Sequence, residues 1–293
     1  MYDYTICTVN YNTESLLDLN IRQLLITNGG FNINITENSP FKTEYDKVKI
    51  NLLPPINQKL AKATEKNLRP HRLGQFLTCN HHSMALNSAI QHANSRFIIL
   101  YDADFFLRYP IEPILKWMDA NNIAVYGTPY GHVSSHKSIE QYNLPSLYNY
   151  PAIFFLVIDK NLVKVLEMDP RLWSQAYCYS DNSGLTDTPY SKHVNDSGLP
   201  TVEQFYKIKY KSATVCVNQK CNICNNSNTW LNIRKLSNNL EIYYLNNKIF
   251  GFHMHTRLWG HRINNFSPNM GSFFNDILQI NNPAFHPRHN YIL

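Results

Sequence analysis

The chain has 293 residues, of which 44% are hydrophobic and 16% are charged, and its formal net charge is +6. This apolar content is ample for a buried core and fits one large α/β domain or two small ones. The mild positive charge suits an anionic ligand such as a nucleotide, and no run of basic residues indicates an arginine-rich nucleic-acid-binding tail.

The amino terminus leads directly into a predicted strand, without the basic and apolar regions of a signal peptide. No apolar stretch approaches the roughly 20 residues that a membrane helix needs. We therefore expect a cytoplasmic protein without membrane insertion, whose six cysteines are reduced thiols.

Strand and helix signals alternate in residues 1–110. In chain order, the predicted elements are a strand at 4–9, a helix with apolar residues from Leu16 to Leu25, strands at 31–36 and 48–53, a helix at 79–93 and a strand at 97–101. This alternation predicts an α/β fold in which a central, mostly parallel sheet is flanked by helices in one Rossmann-like domain. Ligands of such sheets bind at the carboxyl ends of the strands.

The second half of the chain continues the α/β pattern. The predicted elements are a helix at 114–118, strands at 123–126 and 151–158, helices at 160–167 and 189–198, and a strand at 248–255. The polar and aromatic stretch at 169–188 is typical of an active-site loop.

Two aspartates, Asp102 and Asp104, follow the apolar run 97–101 with only Ala103 between them. Residues two apart on a strand project to the same face, so we expect both carboxylates to converge at the end of the strand. Two carboxylates suit a divalent cation that also binds water and phosphate oxygens. Because aspartate is also common in solvated turns, the motif alone leaves the choice open.

Four short motifs occur in order along the chain. They are Thr8-Val9-Asn10-Tyr11-Asn12, Glu37-Asn38-Ser39, His82 with Leu86-Asn87, and Asp102-Ala103-Asp104. In this order they resemble the motifs of GT-A-fold glycosyltransferases of the family-two-like group. The resemblance implies a GT-A fold and an enzyme that transfers a sugar from a nucleoside-diphosphate sugar, with a UDP-sugar expected, to an acceptor hydroxyl. It also implies dependence on Mn²⁺ or Mg²⁺, and it divides the chain into a donor-binding half (1–110), an acceptor and catalytic half (111–262) and a packed tail (263–293).

The resemblance assigns donor binding to a set of positions, namely Val9, Tyr11, Glu37, His82, Asp102 and Arg257. Glu37 would accept the N–H of the base, although most relatives carry Asp there. Asp102 would contact the ribose or the sugar, and Asp104 would bind the cation that bridges the phosphates. As structural alternatives, Tyr11 could be a core aromatic residue and His82 a hydrogen-bonded helix histidine.

Histidines near the end of the chain are candidates for a further metal ligand. His253 and His255 lie on one face of the last predicted strand, and Arg257 and His261 follow. The resemblance implies that one late histidine completes the ligand set, and the sequence leaves the choice between His253 and His255 open. Arg257 would neutralise the diphosphate leaving group.

Transfer with inversion needs a carboxylate that removes the proton of the acceptor hydroxyl. The candidates are Asp181, Asp187 and Asp196. Asp187-Thr188 resembles the Asp-Thr-Gly that begins a helix in many relatives, although Pro189 replaces the glycine. Asp187 equally suits a helix cap before a first-turn proline, so Asp181 stays as the second candidate.

The acceptor is the least determined part of the prediction. Lys59, Lys62, Lys66 and the segment Arg69–Arg72 could face a phosphate backbone. The composition is typical of a viral or phage protein, and some glycosyltransferases of that origin modify hydroxymethylated DNA bases after flipping them out of the helix. A glycan or a protein is the alternative acceptor.

Two other classes of function compete with sugar transfer. A nucleotidyltransferase would carry a glycine-rich, lysine-containing phosphate loop after the first strand, and Asn10-Tyr11-Asn12-Thr13 is not such a loop. A non-catalytic module that binds a nucleotide sugar or a nucleic acid stays open. The cluster Cys216, Cys221 and Cys224 would need a fourth ligand, such as Cys178, to bind structural zinc, and a polar loop with incidental thiols is the alternative.

Overall fold

A computed structural model of the chain describes residues 2–10, 13–37, 44–54, 82, 85–129, 151–165, 211–214, 240–245 and 248–254. The strands are β1 Tyr4–Asn10, β2 Phe31–Glu37, β3 Val48–Leu53, β4 Phe97–Tyr101, β5 Phe105–Leu107, β6 Val125–Pro129, β7 Pro151–Asp159, β8 Ser212–Thr214, β9 Leu240–Leu245 and β10 Lys248–Met254. The helices are α1 Glu14–Asn28, α2 Ile111–Asn121 and α3 Lys160–Val165. Residues 85–91 are also helical.

Seven strands form the central sheet, in the order β3-β2-β1-β4-β7-β6-β8. Strand β7 runs antiparallel to both of its neighbours, and the other adjacent strands of this sheet are parallel. The predicted α/β fold with a central, mostly parallel sheet is therefore confirmed. Strands from both predicted halves of the chain lie in this one sheet.

Apolar side chains cover both faces of the central sheet. On one face, Ile6 and Ile99 belong to a buried cluster with Leu17 and Ile21 of α1. On the other face, Cys7 and Leu100 belong to a second cluster with the helical residues Leu86, Ala89 and Ile90. Every residue of β4 and β7 is buried, as expected for continuous apolar runs covered on both sides.

Helix α2 is longer than the predicted helix at 114–118. It begins after Pro110, whose extended backbone precedes the first turn, and it ends at Asn122 in the left-handed conformation with φ 53°. The N–H of Ile123 still donates to the carbonyl of Met118 at 2.9 Å. The strand predicted at 123–126 therefore starts later, as β6 at Val125.

None of the helices that the structure describes is both long enough and apolar enough to cross a lipid bilayer.

A second sheet, which was not predicted, contains β5, β10 and β9 in that order. Both pairings are antiparallel, and they place Phe252 opposite Phe106 and His253 opposite Phe105. Strand β5 follows β4 after a short turn, so the chain passes from the central sheet into the small sheet within a few residues. This passage determines where the candidate functional residues meet.

An ionic cluster lies at the opposite end of β4. Arg96 donates from Nε to Asp159 at 3.2 Å and from a terminal nitrogen to the other Asp159 oxygen at 2.7 Å. It also donates to Asp119 at 2.5 Å, and Tyr2 donates to the second oxygen of Asp119 at 3.0 Å. The hydrogen bond from Arg96, followed by that from Tyr2, lowers the pKa of Asp119 below its usual value. The cluster thus joins the start of β4, the end of β7 and the end of α2.

Replacement of Arg96 by Met should lower the free energy of unfolding by about 3 kcal/mol, because it leaves the fully buried Asp159 carboxylate without its bidentate partner. Urea unfolding followed by tryptophan fluorescence measures this difference. The matched control is Arg22→Met, which removes an exposed pair with Asp18 one helical turn away and should cost about 0.5 kcal/mol or less. Equal costs for the two variants would contradict the structural role of Arg96.

Candidate metal centre

The two aspartates lie in a tight turn between β4 and β5, which we call the acidic turn (residues 102–105). The N–H of Asp102 donates to the carbonyl of Phe154 at 3.0 Å, so Asp102 is still bonded to β7. The N–H of Phe105 donates to the carbonyl of Asp102 at 3.0 Å and closes the turn. The carboxylates converge as expected, but the cause is this turn rather than the alternation of side chains along a strand.

His253 of β10 meets the two carboxylates of the acidic turn. One ligand atom each of Asp102, Asp104 and His253 lie within 4.8 Å of one another. The Nε2 atom of His253 is 3.5 Å from Oδ1 of Asp104, and these two side chains are only 7% and 10% exposed. We call these three residues the metal centre. Of the two late histidines, His253 is the one that the described residues bring to the aspartates.

The donor set of the metal centre fits a divalent cation such as Mn²⁺. Carboxylate oxygens are the ligands that Mn²⁺ and Mg²⁺ prefer, and imidazole nitrogen is common for transition metals. The ligands of an octahedral ion with bonds of about 2.1 Å lie roughly 3 to 4 Å apart, which is close to the observed spacing. Binding therefore requires only small side-chain movements.

The imidazole of His253 is fixed by stacking and by its strand. The ring of Phe154 stacks on it with centroids 4.1 Å apart and planes inclined by 12°. Two residues earlier in the strand, Gly251 lies so close to β5 that a Cβ atom there would be 2.8 Å from the Phe105 ring and 2.9 Å from the carbonyl of Phe106. The close approach of β10 to the acidic turn thus depends on glycine at this position.

His82 contacts the metal centre at Asp102. Its Nε2 atom is 3.2 Å from Oδ1 of Asp102. The helical residues 85–91 that follow it are bonded to β2, because Thr36 donates to the carbonyl of Ala85 at 2.6 Å and Asn34 to that of Ala89 at 3.0 Å. His82 was predicted to bind the donor, and the structure places it next to Asp102.

Burial and the two histidines act in opposite directions on Asp102. Removal from water raises the pKa of the Asp102 carboxyl, and the charge and hydrogen bond of His82, followed by the charge of His253, lower it by more. The net pKa is below the usual aspartate value. The carboxylate is therefore ionised at neutral pH, as a metal ligand must be.

The carboxyl ends of β1 and β2 lie at the same edge of the sheet as the acidic turn, since these strands are parallel to β4. Val9 is half-buried against the second apolar cluster. The last pair of the two strands places Asn10 opposite Glu37. The roles of Val9 and Glu37 in nucleotide binding stay predictions.

Several candidates from the sequence lie outside the described residues. They are Tyr11, Asp181, Asp187, Asp196, His255, Arg257 and His261, together with the cysteines Cys178, Cys216, Cys221 and Cys224. The basic segment at 59–72 and the tail at 263–293 are also outside.

Two side chains beneath the acidic turn were missed by sequence reasoning. Asn20 of α1 is completely buried and donates to the carbonyls of Ala103 at 2.9 Å and of Phe105 at 2.6 Å. Tyr101 donates to the Asn20 side-chain oxygen at 2.7 Å. In the sequence, the signal that could have identified Asn20 was its position among the apolar residues of the predicted helix.

Gly251→Ala should weaken the binding of Mn²⁺ about tenfold or more, because the new methyl group moves β10 and His253 away from β5. Isothermal titration calorimetry with Mn²⁺ measures the dissociation constant. Gly30→Ala is a matched control, since its Cβ would lie 2.8 Å from the carbonyl of Lys47, far along β2 from the acidic turn. The control should keep the Mn²⁺ affinity, and loss of affinity in both variants would contradict the argument.

The stability that the ionised Asp102 provides should depend on pH. Its folded pKa is depressed, so this contribution is present above the unfolded aspartate pKa of about 3.9 and is lost as the pH falls through the folded value. The difference in unfolding free energy between the parent and Asp102→Asn should therefore be larger at pH 6 than at pH 3. Urea unfolding in EDTA at both pH values tests this, and a constant or inverted difference would refute it.

Comparison with known proteins gives distant similarities only. No protein-family model matches the chain, and no curated protein sequence matches it. Among solved structures, mouse xyloside xylosyltransferase 1 is 11% identical over 72% of this chain and 77% of its own, with a TM-score of 0.38. The mannosyltransferase PcManGT of Pyrobaculum calidifontis, in complex with GDP-Man and Mn²⁺, is 13% identical over 58% of this chain, with a TM-score of 0.35. TarS of S. aureus is 11% identical over 70% of this chain and 63% of its own, with a TM-score of 0.34.

The match spans about half of the mannosyltransferase, 49% of its length. At these identities and scores, the similarity by itself assigns no activity to this chain.

Proposed function

We propose that this protein is a metal-dependent glycosyltransferase of the GT-A type, which moves a sugar from a nucleoside-diphosphate sugar to an acceptor hydroxyl. The observation that supports the proposal is the convergence of Asp102, Asp104 and His253 within 4.8 Å. Asp102 and Asp104 lie in the turn that follows β4 of the central sheet, at the carboxyl end of that strand, and His253 comes from β10 of the small sheet. The carboxyl ends of the strands are where α/β sheets bind their ligands.

The metal centre would supply the contact for the donor diphosphate. Asp104 and His253, with Asp102, would hold Mn²⁺ or Mg²⁺. Such an ion, when bound, would supply positive charge that offsets the negative charge of the leaving diphosphate. Asp102 would contact the ribose or the sugar of the donor, and His82, whose Nε2 atom is 3.2 Å from Asp102, is a further proposed donor-binding residue.

The ends of β1 and β2 would bind the nucleoside. Val9 and Glu37 lie on two parallel strands whose carboxyl ends are at the same edge of the sheet as the acidic turn. Val9 would offer an apolar surface to a base, and the Glu37 carboxylate would accept an N–H of its ring. A UDP-sugar is the proposed donor.

Inversion at the anomeric carbon is the proposed stereochemical course. The acceptor hydroxyl attacks that carbon while a carboxylate takes its proton, and the bond to the phosphate oxygen breaks so that the nucleoside diphosphate leaves. Asp187 or Asp181 is the proposed base. Arg257 would stabilise the leaving diphosphate with its positive charge.

The proposed acceptor is a hydroxymethylated base in DNA, with a glycan or a protein hydroxyl as the alternative. The net charge of +6 supports an anionic acceptor. The basic segment that contains Lys59, Lys62, Lys66 and Arg69–Arg72 supplies a local positive charge for a phosphate backbone.

The proposal predicts Mn²⁺-dependent release of nucleoside diphosphate from a nucleotide sugar, first with water as the acceptor. A panel of UDP- and GDP-sugars is incubated with the protein, and nucleotide release is followed by liquid chromatography. Asp104→Asn, which keeps the side-chain size, should lower release and Mn²⁺ affinity by more than about 100-fold, since a direct ligand contributes more than an outer residue. Asp3→Asn, at an exposed position far from the turn, is the control and should match the parent.

The outcomes separate the candidate functions. Undiminished release by Asp104→Asn would refute the catalytic role of the metal centre, and Mn²⁺-dependent nucleotide binding without release or transfer would identify a binding module. With the active donor, mass spectrometry of nucleosides from hydroxymethylated DNA then tests the acceptor. A glycosylated nucleoside supports DNA, and a product found only on glycans or proteins refutes it.

A further inference from the structure

We infer that Asn20 is a positioning residue, whose buried amide fixes both the acidic turn and the strand that presents His253. The inference rests on the metal binding that belongs to the proposed function, and it does not depend on which reaction follows. Asn20 is a polar residue on the buried face of α1, where the neighbouring residues Leu16, Leu17, Ile21 and Leu24 are all buried and apolar.

The Asn20 amide is bonded on both sides of Asp104. Its nitrogen donates to the carbonyl of Ala103 at 2.9 Å and to that of Phe105 at 2.6 Å, so both of its hydrogens are used. Because carbonyl oxygens only accept hydrogen bonds, the amide nitrogen must face the turn. One side chain therefore holds the peptide group between Ala103 and Asp104 and the peptide group between Phe105 and Phe106. The backbone of Asp104 lies between these two fixed points, and the direction of its carboxylate follows from them.

Tyr101 determines the orientation of the amide from the other end. Its hydroxyl accepts a hydrogen bond from the N–H of Leu107 at 3.0 Å and donates its own hydrogen to Asn20 Oδ1 at 2.7 Å. Burial raises the pKa of Tyr101 above its ordinary value, so the hydroxyl keeps this hydrogen at neutral pH. The hydrogen bonds of Asn20 and Tyr101 thus cover the backbone from Ala103 to Leu107.

The same hydrogen bonds reach the third ligand through β5. Phe105, whose carbonyl is bonded to Asn20, lies opposite His253 in the antiparallel pair of β5 and β10. Leu107, whose N–H is bonded to Tyr101, lies opposite Gly251. A change in the position of β5 therefore moves His253 as well as Asp104. The spacing between these two ligands thus depends on Asn20, whose hydrogen bonds go to Ala103, Phe105 and Tyr101.

An apolar side chain at position 20 would fill the space without replacing the hydrogen bonds. The carbonyls of Ala103 and Phe105 would then be buried without a partner, which is costly, so the turn would rearrange to expose them or pair them elsewhere. Outer residues of this kind affect metal affinity about 10- to 100-fold when they are lost. Loss of Asn20 should therefore appear in metal binding, beyond any effect on stability.

The test compares Asn20→Leu and Tyr101→Phe with Thr5→Val in the full chain, with Mn²⁺ alone as the probe. Thr5 is buried and shares a hydrogen bond with Ser95 at the amino end of β1, so Thr5→Val removes a buried hydrogen bond far from the acidic turn. Calorimetry gives the Mn²⁺ dissociation constant, and thermal unfolding in EDTA gives the stability. We expect all three variants to unfold at lower temperature than the parent.

Only the first two variants should lose Mn²⁺ affinity, about 10- to 100-fold for Asn20→Leu and about tenfold for Tyr101→Phe. The inference is overturned if folded Asn20→Leu binds Mn²⁺ within twofold of the parent, or if Thr5→Val loses as much affinity. If Asn20→Leu does not fold, the same test applies to Tyr101→Phe: an Mn²⁺ dissociation constant within twofold of the parent value overturns the inference. Mn²⁺ binding without nucleotide-sugar turnover would refute the proposed function alone, whereas a parent that binds no Mn²⁺ would overturn the metal centre and this inference together.

Discussion

The antiparallel pairing of β5 with β10 is the interaction on which the candidate site depends. It brings Phe105, directly after the two aspartates, opposite His253 from a distant part of the chain. Strand β5 is only three residues long and cannot be stable alone, so it relies on its links to both sheets. Through β4 it continues from the central sheet, and through β10 it belongs to the small one. The metal centre exists because these two sheets share one short turn.

The electrostatics of the turn follow from the same arrangement. Two neighbouring carboxylates in a partly buried turn repel each other, and each has an imidazole nearby. His82 lies 3.2 Å from Asp102, and His253 lies 3.5 Å from Asp104. A permanent cation of a lysine or arginine in these places would compete with a divalent ion, whereas a neutral imidazole can bind one. The ionic cluster around Arg96, at the other end of β4, is by contrast saturated by its own carboxylates.

Sequence reasoning captured the parts of the structure that are local. Strands β1 to β4 and the face of α1 carry clear apolar patterns. The convergence of Asp102 and Asp104 was expected from strand alternation, but the turn closed by Phe105 and Asp102 produces it. The small sheet escaped prediction because β5 is too short for a periodic signal, and because its pairing with β10 is a long-range contact. The position of β7 was predicted correctly, but its antiparallel direction was not. A strand buried on both faces has the same apolar composition whether it runs parallel or antiparallel to its neighbours. Asn20 was overlooked because a single polar residue does not change the helix pattern, and its partners are backbone groups that no motif records.

The irregular pairing of β10 has a consequence for how this protein can vary. The register of β10 against β9 shifts between Ile249 and Gly251, as in a β-bulge, and the consecutive residues Phe252 and His253 are both buried. Phe252 joins the apolar core, and His253 faces the aspartates. Adjacent strand residues point to opposite faces. The insertion or deletion of one residue just before this pair would therefore turn His253 away from the aspartates and put an apolar ring in its place. An insertion or deletion in this strand is therefore tolerated far less well than a substitution, because the register of β10 keeps His253 on the side of the two aspartates.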